Sequence, residues 1–461
     1  MSGDTQGGVP IFGTDGIRGT AGEGWLSAEL VSALGRAIGT VLGGGPGAAA
    51  GRRAVVGYDG RRSGPQLEAA LARGLHRTGL ATTSAGLITT PGLALVTRTC
   101  DFALGVMLSA SHNPARDNGI KVLSARGDKL ADETEREIER VLRADLAPES
   151  TGPTPAFDGA LQELYLDHLS GSAGAGLDLG GLNIAIDCAN GAASRLGPRL
   201  LKRLGAEVIA LFAEPDGLNI NEGCGSTHPG ALQERVRAAG ADLGIALDGD
   251  ADRCLLVDEA GELVHGDGIL TLLARHAVKT HAWSSARVVA TVMSNRGLHR
   301  ALREVGVEVV TVGVGDRRVS EALRREDLPL GGEQSGHIIF GAENHHVGDG
   351  LYTALRVLRV MRESGRPLSE LASPYRPFPQ VLVNVPVASK PHFSEVPNIE
   401  EAVRRIEAEL AEDGRVLLRY SGTEPLARVM VEGPDEGRIQ VLADELADLL
   451  GEAIGVGGGA R

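Results

Sequence analysis

Apolar runs that do not alternate with polar residues recur along this chain, interspersed for most of its length with stretches of helical length. The runs are Ala54 to Gly57, Ala103 to Leu108, Leu182 to Ile186, Leu243 to Leu247, Arg287 to Val292 and Glu308 to Val312. A strand with one wet face alternates, whereas a strand covered on both faces reads as continuous aliphatic sequence. The stretches between them, such as 65–78 and 132–142, have the length of helices. The second opens Asp-Glu-Thr-Glu, which places acid at the positive end of the helix dipole. Strand, helix and strand in succession predict parallel sheets joined by right-handed crossovers. The expected fold class is α/β.

The chain has 461 residues, room for about three domains. A faint echo supports tandem units. Segments 52–64, 181–193 and 286–298 each run from polar residues through an apolar strand to a polar turn that leads into a helix. The Pro-, Ser- and Gly-rich stretch 146–159 reads as a linker, and 362–380, with four prolines, marks a second change of composition. Beyond it, strands at 381–387, 415–422 and 427–433 and a Glu-rich helix at 400–412 predict a small α+β domain. Aromatic residues make up only 3%, so the cores must be aliphatic. Lys and Arg number 46 against 60 Asp and Glu, a net charge of −14, which argues against nucleic acid as a partner. An anionic small molecule can still bind where Arg and Lys converge. No apolar stretch reaches the roughly 18 residues of a membrane span, and the N-terminus lacks the pattern of a signal peptide. Cys100, Cys188, Cys224 and Cys254 have no metal-ligand spacing and read as core residues. The expectation is a cytoplasmic protein with neither membrane nor nucleic-acid partners.

Four segments carry chemistry. In "DGDADRCLLVDE" (248–259), Asp248, Asp250 and Asp252 put three hard oxygen ligands on one tight loop after a buried strand, a set that suits Mg²⁺ or Ca²⁺. An EF-hand fails at the sixth position, where Arg253 replaces the required Gly, and the flanks read as strands. In "GVMLSASHNPARDNGIKV" (105–122), Ser109, Ser111, His112 and Lys121 crowd the end of an apolar strand. A hydroxyl nucleophile beside proton-transfer groups and a separate metal loop points to phosphoryl transfer. In "LPLGGEQSGHIIF" (328–340), Glu333, Ser335 and His337 alternate, and an extended loop presents all three on one side, suited to the hydroxyls of a sugar. In "LLRYSGTEPLARVMVEG" (417–433), Arg419, Ser421, Gly422, Thr423 and Arg428 offer the donors that bind a phosphate dianion. "FGTDGIRGTAG" (12–22) adds Arg18, and "YDGRRSG" (58–64) adds Arg61.

Taken in order, "SASHNP" at 109–114, "DGDADR" at 248–253, "GEQSGH" at 332–337 and "RYSGTEP" at 419–425 resemble the signature loops of the α-D-phosphohexomutase family over nearly the whole chain. The opening "FGTDGIRG" and Gln334 resemble its glucosamine-phosphate branch most. Tyr420, Ala251 and Arg318 depart from that branch's usual Pro, Gly and Tyr without removing a donor or ligand. The resemblance implies three related α/β domains (1–153, 154–262 and 263–374) and an α+β domain (375–461) around a central cleft. It implies a phosphoserine at Ser111, and one Mg²⁺ held by that phosphoserine with Asp248, Asp250 and Asp252. His112, Lys121, Arg18 and His337 take catalytic roles, with Lys121 a base only if nearby cations such as Arg18 and Arg253 lower its pKa. Arg253, Glu333 and Ser335 hold the sugar, and Arg419, Ser421, Gly422, Thr423 and Arg428 hold the phosphate that is not reacting. The implied reaction interconverts glucosamine 6- and 1-phosphates through a hexosamine 1,6-bisphosphate, towards UDP-N-acetylglucosamine, in a monomer or homodimer. Alternatives are a mannose- or glucose-phosphate specificity, a metal-dependent sugar phosphatase and a non-catalytic sugar-phosphate sensor.

Overall fold

Five of the six aliphatic runs become interior strands of three sheets. The structure, a computed structural model, describes residues 10–13, 15–43, 51–283, 285–421 and 425–456. It divides into one unit of Met1–Val292 with Val310–Ala372 and another of Met293–Val309 with Ser373–Arg461. The first sheet holds β1 (Ile17–Thr20), β2 (Arg53–Tyr58), β3 (Ala81–Leu87), β4 (Leu104–Leu108), β5 (Asp117–Ser124) and β6 (Ala156–Phe157), in the order β1-β5-β4-β2-β3-β6. The second holds β7 (Asn183–Asp187), β8 (Glu207–Leu211), β9 (Leu243–Leu247), β10 (Cys254–Val257) and β11 (Leu263–Val264), in the order β11-β10-β9-β7-β8. The third holds β12 (Arg287–Thr291), β13 (Glu308–Val312), β14 (Leu330–Gly332) and β15 (Ile338–Phe340), in the order β13-β12-β14-β15.

One plan underlies all three. A core of β4-β2-β3, β9-β7-β8 or β14-β12-β13 is joined by an antiparallel return strand, β5, β10 or β15. The echoing segments each contain the equivalent strand, β2, β7 or β12, so the weak sequence repeat is a structural one. β2 runs parallel to β3 and β4, β7 to β8 and β9, and β12 to β14, as the crossover argument requires. Three of the four chemical segments therefore occupy one topological position: the turn at the carboxyl end of β4, β9 and β14, where open α/β sheets bind ligands.

Helices Ala28–Leu42 and Gly64–Arg77 bury Leu34, Ile38, Leu71 and Leu75 in a core that includes Val56 and Leu104 of the first sheet. Each such side chain removed from water stabilises the fold by about 1.5–3 kcal/mol before entropy is counted. Glu308 to Val312 does not have the predicted two-sided burial: β13 lies at the edge of its sheet and is half exposed. The proposed linker is largely exposed and irregular, and ends in β6, which adds to β3.

The second unit contains β16 (Gln380–Pro386), β17 (Arg415–Tyr420) and β18 (Leu426–Glu432), an antiparallel sheet in the order β16-β18-β17. Helices Ile399–Leu410 and Glu436–Ile454 bury Ile406, Ile439, Leu442 and Leu446 in a core with Val429 and Val431. This is the predicted α+β arrangement. Among the described residues no helix is long and apolar enough to cross a membrane.

Candidate active site

Ser111 sits in the turn after β4 and is 1% exposed. Its φ of 51° is left-handed, a conformation that costs a residue other than Gly about 1–2 kcal/mol. Its Oγ donates to Asp248 Oδ2 at 2.5 Å and lies 3.2 Å from His112 Nδ1. Ser109, the other serine of the segment, is fully buried and engaged: its Oγ donates to Asp59 Oδ2 at 2.6 Å and accepts the Ser111 N–H at 2.9 Å. Arg18 extends from β1 to the same turn, donating to Ala110 O at 3.3 Å and Asn113 Oδ1 at 3.2 Å. Arg61 does not join the phosphate-binding groups as its Gly-rich loop predicts. Its side chain is fully buried beside Asp59, and its guanidinium donates to protein acceptors. Burial, then the Arg253 and Arg18 charges, push the His112 imidazole below its usual pKa.

The three aspartates follow β9, all buried, with carboxylate oxygens within 4.8 Å of one another. A Cβ at position 249 would sit 2.4 Å from Ser111 O, so only glycine lets this loop touch the serine turn. The loop's backbone is tied from two sides. Thr90 N, opening helix Thr90–Thr99, donates to Asp250 O, and Gly350 N, opening helix Gly350–Ser364, donates to Ala251 O, each at 3.0 Å. Thr90 Oγ1 and Lys121 Nζ both donate to Asp250 Oδ2, at 2.5 and 2.9 Å. Asp250 Oδ1 and Asp252 Oδ1 are buried without a hydrogen-bond partner. Such oxygens are costly in a folded protein, and a hard, all-carboxylate donor set fits a divalent cation of the Mg²⁺ class. Burial, then Asp252 and Asp250, push the Asp248 carboxyl well above the usual range. The flanking elements are strands β9 and β10, which excludes the EF-hand.

The "GEQSGH" segment is a tight turn between β14 and β15 rather than an extended loop: Gly336 N donates to Glu333 O at 3.0 Å and Glu333 N to His337 O at 3.1 Å. The antiparallel return of β15 forces this reversal. His337 is buried, with Nδ1 3.6 Å from Asp252 Oδ1 and Nε2 3.8 Å from Asp316 Oδ2. Burial opposes its charge, but Asp252, Asp316 and Glu333 push its pKa up to about 9. Glu333 Oε1 accepts the Gly315 N–H at 3.1 Å, and Ser335 Oγ is buried without a hydrogen-bond partner.

Lys121 departs from expectation. Its direct partners are carboxylates, Asp250 at 2.9 Å, Asp15 at 3.0 Å and Asp252 at 3.7 Å, and the cations Arg18 and Lys129 meet it only across the shared Asp15 carboxylate. Burial works against its charge, but Asp250, Asp15 and Asp252 hold it well above the usual lysine value. Lys129 Nζ bridges Asp15 Oδ1 and Asp316 Oδ2, both at 2.6 Å. Asp15, Lys129, Asp316 and Thr90 were not singled out from sequence; the available signal was an acid inside the Gly-rich "FGTDGIRG" and "GVGDRR" loops.

In the second unit, Arg419 of β17 stands directly opposite Arg428 of β18. Like charges opposed across a ladder repel, and a bound dianion would offset that cost. Ser421 is buried, and its carbonyl accepts from Lys390 Nζ at 2.5 Å, a cation the sequence did not single out. Tyr420 stacks on Phe393 with ring centroids 4.3 Å apart. Gly422 and Thr423 lie outside the described residues.

Phosphoglucomutase/phosphomannomutase α/β/α domains I, II and III match residues 9–148, 163–261 and 265–378, and the C-terminal domain of that family matches 382–449. The chain is 49% identical to the phosphoglucosamine mutase of Symbiobacterium thermophilum, covering 95% of this chain and 98% of that one. It is also 49% identical to the phosphoglucosamine mutase of Rhodococcus opacus, with the same coverage. The X-ray structure of a phosphoglucomutase/phosphomannomutase family protein from Burkholderia thailandensis aligns with a TM-score of 0.79 at 26% identity, over 98% of each chain. With all four domains matched in order, the chain belongs to the phosphoglucomutase/phosphomannomutase family and is a phosphohexomutase, an isomerase.

Proposed function

We propose that the enzyme interconverts glucosamine 6-phosphate and glucosamine 1-phosphate, with Ser111 as the residue that carries the phosphoryl group. The observation that supports this most is the Ser111 hydroxyl, held in a left-handed turn against Asp248 of a buried carboxylate triplet. The sugar follows from relatives of that name at 49% identity.

Phosphoserine 111 transfers its phosphoryl group to the free hydroxyl of the sugar monophosphate. The sugar oxygen bonds phosphorus, the Oγ–P bond breaks, and the proton of the sugar hydroxyl ends on Ser111 Oγ. The resulting 1,6-bisphosphate turns over, and Ser111 Oγ then attacks its other phosphorus. The second sugar oxygen leaves with the serine proton, and phosphoserine is restored. His112, uncharged and 3.2 Å from Ser111 Oγ, is the nearest group to move that proton. Lys121 and His337, both cationic, hold phosphoryl oxygens, with Arg18 beside them. Asp248, Asp250 and Asp252, with phosphoserine 111, would hold one Mg²⁺, which neutralises charge on the transferring phosphoryl when bound. Arg253, Glu333 and Ser335 hold the sugar; the 2-ammonium group gains a charge-assisted bond from Glu333 that a 2-hydroxyl lacks. Arg419, Ser421, Gly422, Thr423 and Arg428 hold the phosphate at rest.

Kinetics on glucosamine, glucose and mannose phosphates, each primed with its bisphosphate, test the sugar; the highest kcat/KM is expected for glucosamine phosphate. Phosphopeptide mapping tests the nucleophile. Preference for another sugar moves the enzyme to a sister specificity, label on Ser109 alone refutes the Ser111 assignment, and steady release of inorganic phosphate makes it a phosphatase.

A further inference from the structure

The nucleophile turn is held by a second set of residues that touch neither metal nor sugar in the scheme above. We propose that Arg61, Asp59 and Ser109 are positioning residues that fix the backbone of Ser111 so that its hydroxyl faces the aspartate triplet. This rests on Ser111 carrying the phosphoryl group. A guanidinium has five N–H donors in a rigid fork, and Arg61 has a protein acceptor for each. Nε donates to Asp59 Oδ2 at 2.9 Å. One terminal nitrogen donates to Pro114 O and, at 2.8 Å, to Asp117 O. The other donates to Ser111 O at 3.0 Å and Asn113 O at 2.8 Å. Four carbonyls of the turn 111–117 thus converge on one side chain with no exposed surface.

The N–H side of Ser111 is fixed by the same group. Asp59 Oδ2 accepts the Ser109 hydroxyl proton at 2.6 Å, which orients the Ser109 lone pair onto the Ser111 N–H at 2.9 Å. Asn221, reaching across from the second sheet's unit of the repeat, adds a donor to Ser111 O at 2.9 Å. Both peptides flanking a left-handed, non-glycine residue are therefore held. Such strained conformations persist only where surrounding structure over-determines them. If Ser111 relaxed to an ordinary backbone conformation, its Oγ would swing away from Asp248. Lysine at position 61 has a single nitrogen and three donors, so charge alone cannot reproduce the fork.

The test compares Ser109→Ala and Arg61→Lys with the wild-type enzyme. Expected are falls in kcat of about 10- to 100-fold, the range for a buried donor or acceptor left unsatisfied. KM for glucosamine 1-phosphate should stay within about twofold, because lost positioning acts on the transition state. The rate at which labelled phosphoryl from the bisphosphate appears on Ser111 should fall in step with kcat, in protein whose melting midpoint remains above the assay temperature. Wild-type kcat in Ser109→Ala, a loss confined to KM, or a normal labelling rate beside a reduced kcat would each overturn the proposal. Wild-type enzyme that carries no label on Ser111 defeats the underlying reading instead; label on Ser111 together with an unimpaired Ser109→Ala variant defeats only the positioning.

Discussion

The serine turn after β4 and the aspartate turn after β9 occupy the same place in two copies of one topology, yet they are built on opposite principles. Each has a non-glycine residue in the left-handed region, Ser111 at 51° and Ala251 at 56°, and the two meet at Gly249. In the serine turn the carbonyls meet Arg61 and the Ser111 N–H meets Ser109. In the aspartate turn the backbone is tied down, but Oδ1 of Asp250 and Oδ1 of Asp252 are buried without a hydrogen-bond donor. The serine is set by hydrogen bonds that leave its flanking peptides satisfied, whereas the aspartate turn, although Lys121 and His337 stand beside it, keeps two buried carboxylate oxygens without a hydrogen bond.

The largest effect should come from the aspartate turn. Asp250→Ala is expected to cut turnover about a thousandfold or more, the scale on which preorganised charge contributes to catalysis. Exhaustive chelation should do the same to the wild type, and Mg²⁺ should restore it. Full activity after chelation would erase the contrast between the two turns.

Arg61→Met probes the other side. Leaving the buried Asp59 carboxylate without its partner should cost about 3–5 kcal/mol, read as a lower urea midpoint with added Mg²⁺ giving no compensation. A midpoint within error of wild type would show that the turn does not depend on the guanidinium.

Glu68 sharpens the comparison because it too has a buried carboxylate oxygen without a partner, but on helix Gly64–Arg77 rather than in a turn. Burial raises its pKa from 4.5 to about 7, against a hydrogen bond from Ser84 that lowers it. Between those values the folded chain holds a proton that the unfolded chain has released, so stability falls as pH rises from 4.5 to about 7 and is then level. Glu68→Gln should lack this slope and be more stable above pH 7 by something on the order of 3 kcal/mol. Parallel pH profiles of the two midpoints would contradict it.

The smallest effect concerns Ala251. Glycine there relieves left-handed strain at the cost of a buried methyl and unfolded-state entropy, a net gain of about 1 kcal/mol at most. A rise in Tm without change in kcat is expected; a fall would mean that the methyl contributes more to packing than the conformation costs.

Much of the fold was legible because strands covered on both faces lose their alternation. Leu243 to Leu247 is such a case, and the sequence placed it to the residue. β3 escaped notice because Thr82, Thr83 and Ser84 offer no aliphatic run; the strand exists because β2 and β6 flank it. At the site, Ser111 and the aspartates were legible as residue types at the end of apolar strands. The surroundings of Lys121 were not, since Asp15 and Asp250 come from distant parts of the chain. Nor was the role of Arg61: a guanidinium in a Gly-rich turn has the same sequence signature whether it meets a phosphate or the chain's own carbonyls.

The bonds from Thr90 to Asp250 and from Gly350 to Ala251 bear on how the first unit melts. Each joins the start of a helix in one copy of the repeat to the aspartate turn of another. Opening the second sheet would strip acceptors from helix ends belonging to the first and third, and those N–H groups are among the orphan donors every helix must satisfy. Three sheets that could each have been a separate calorimetric domain are thereby made thermally interdependent. A scan of this unit should show one endotherm whose van't Hoff and calorimetric enthalpies agree, and Thr90→Val should begin to split it.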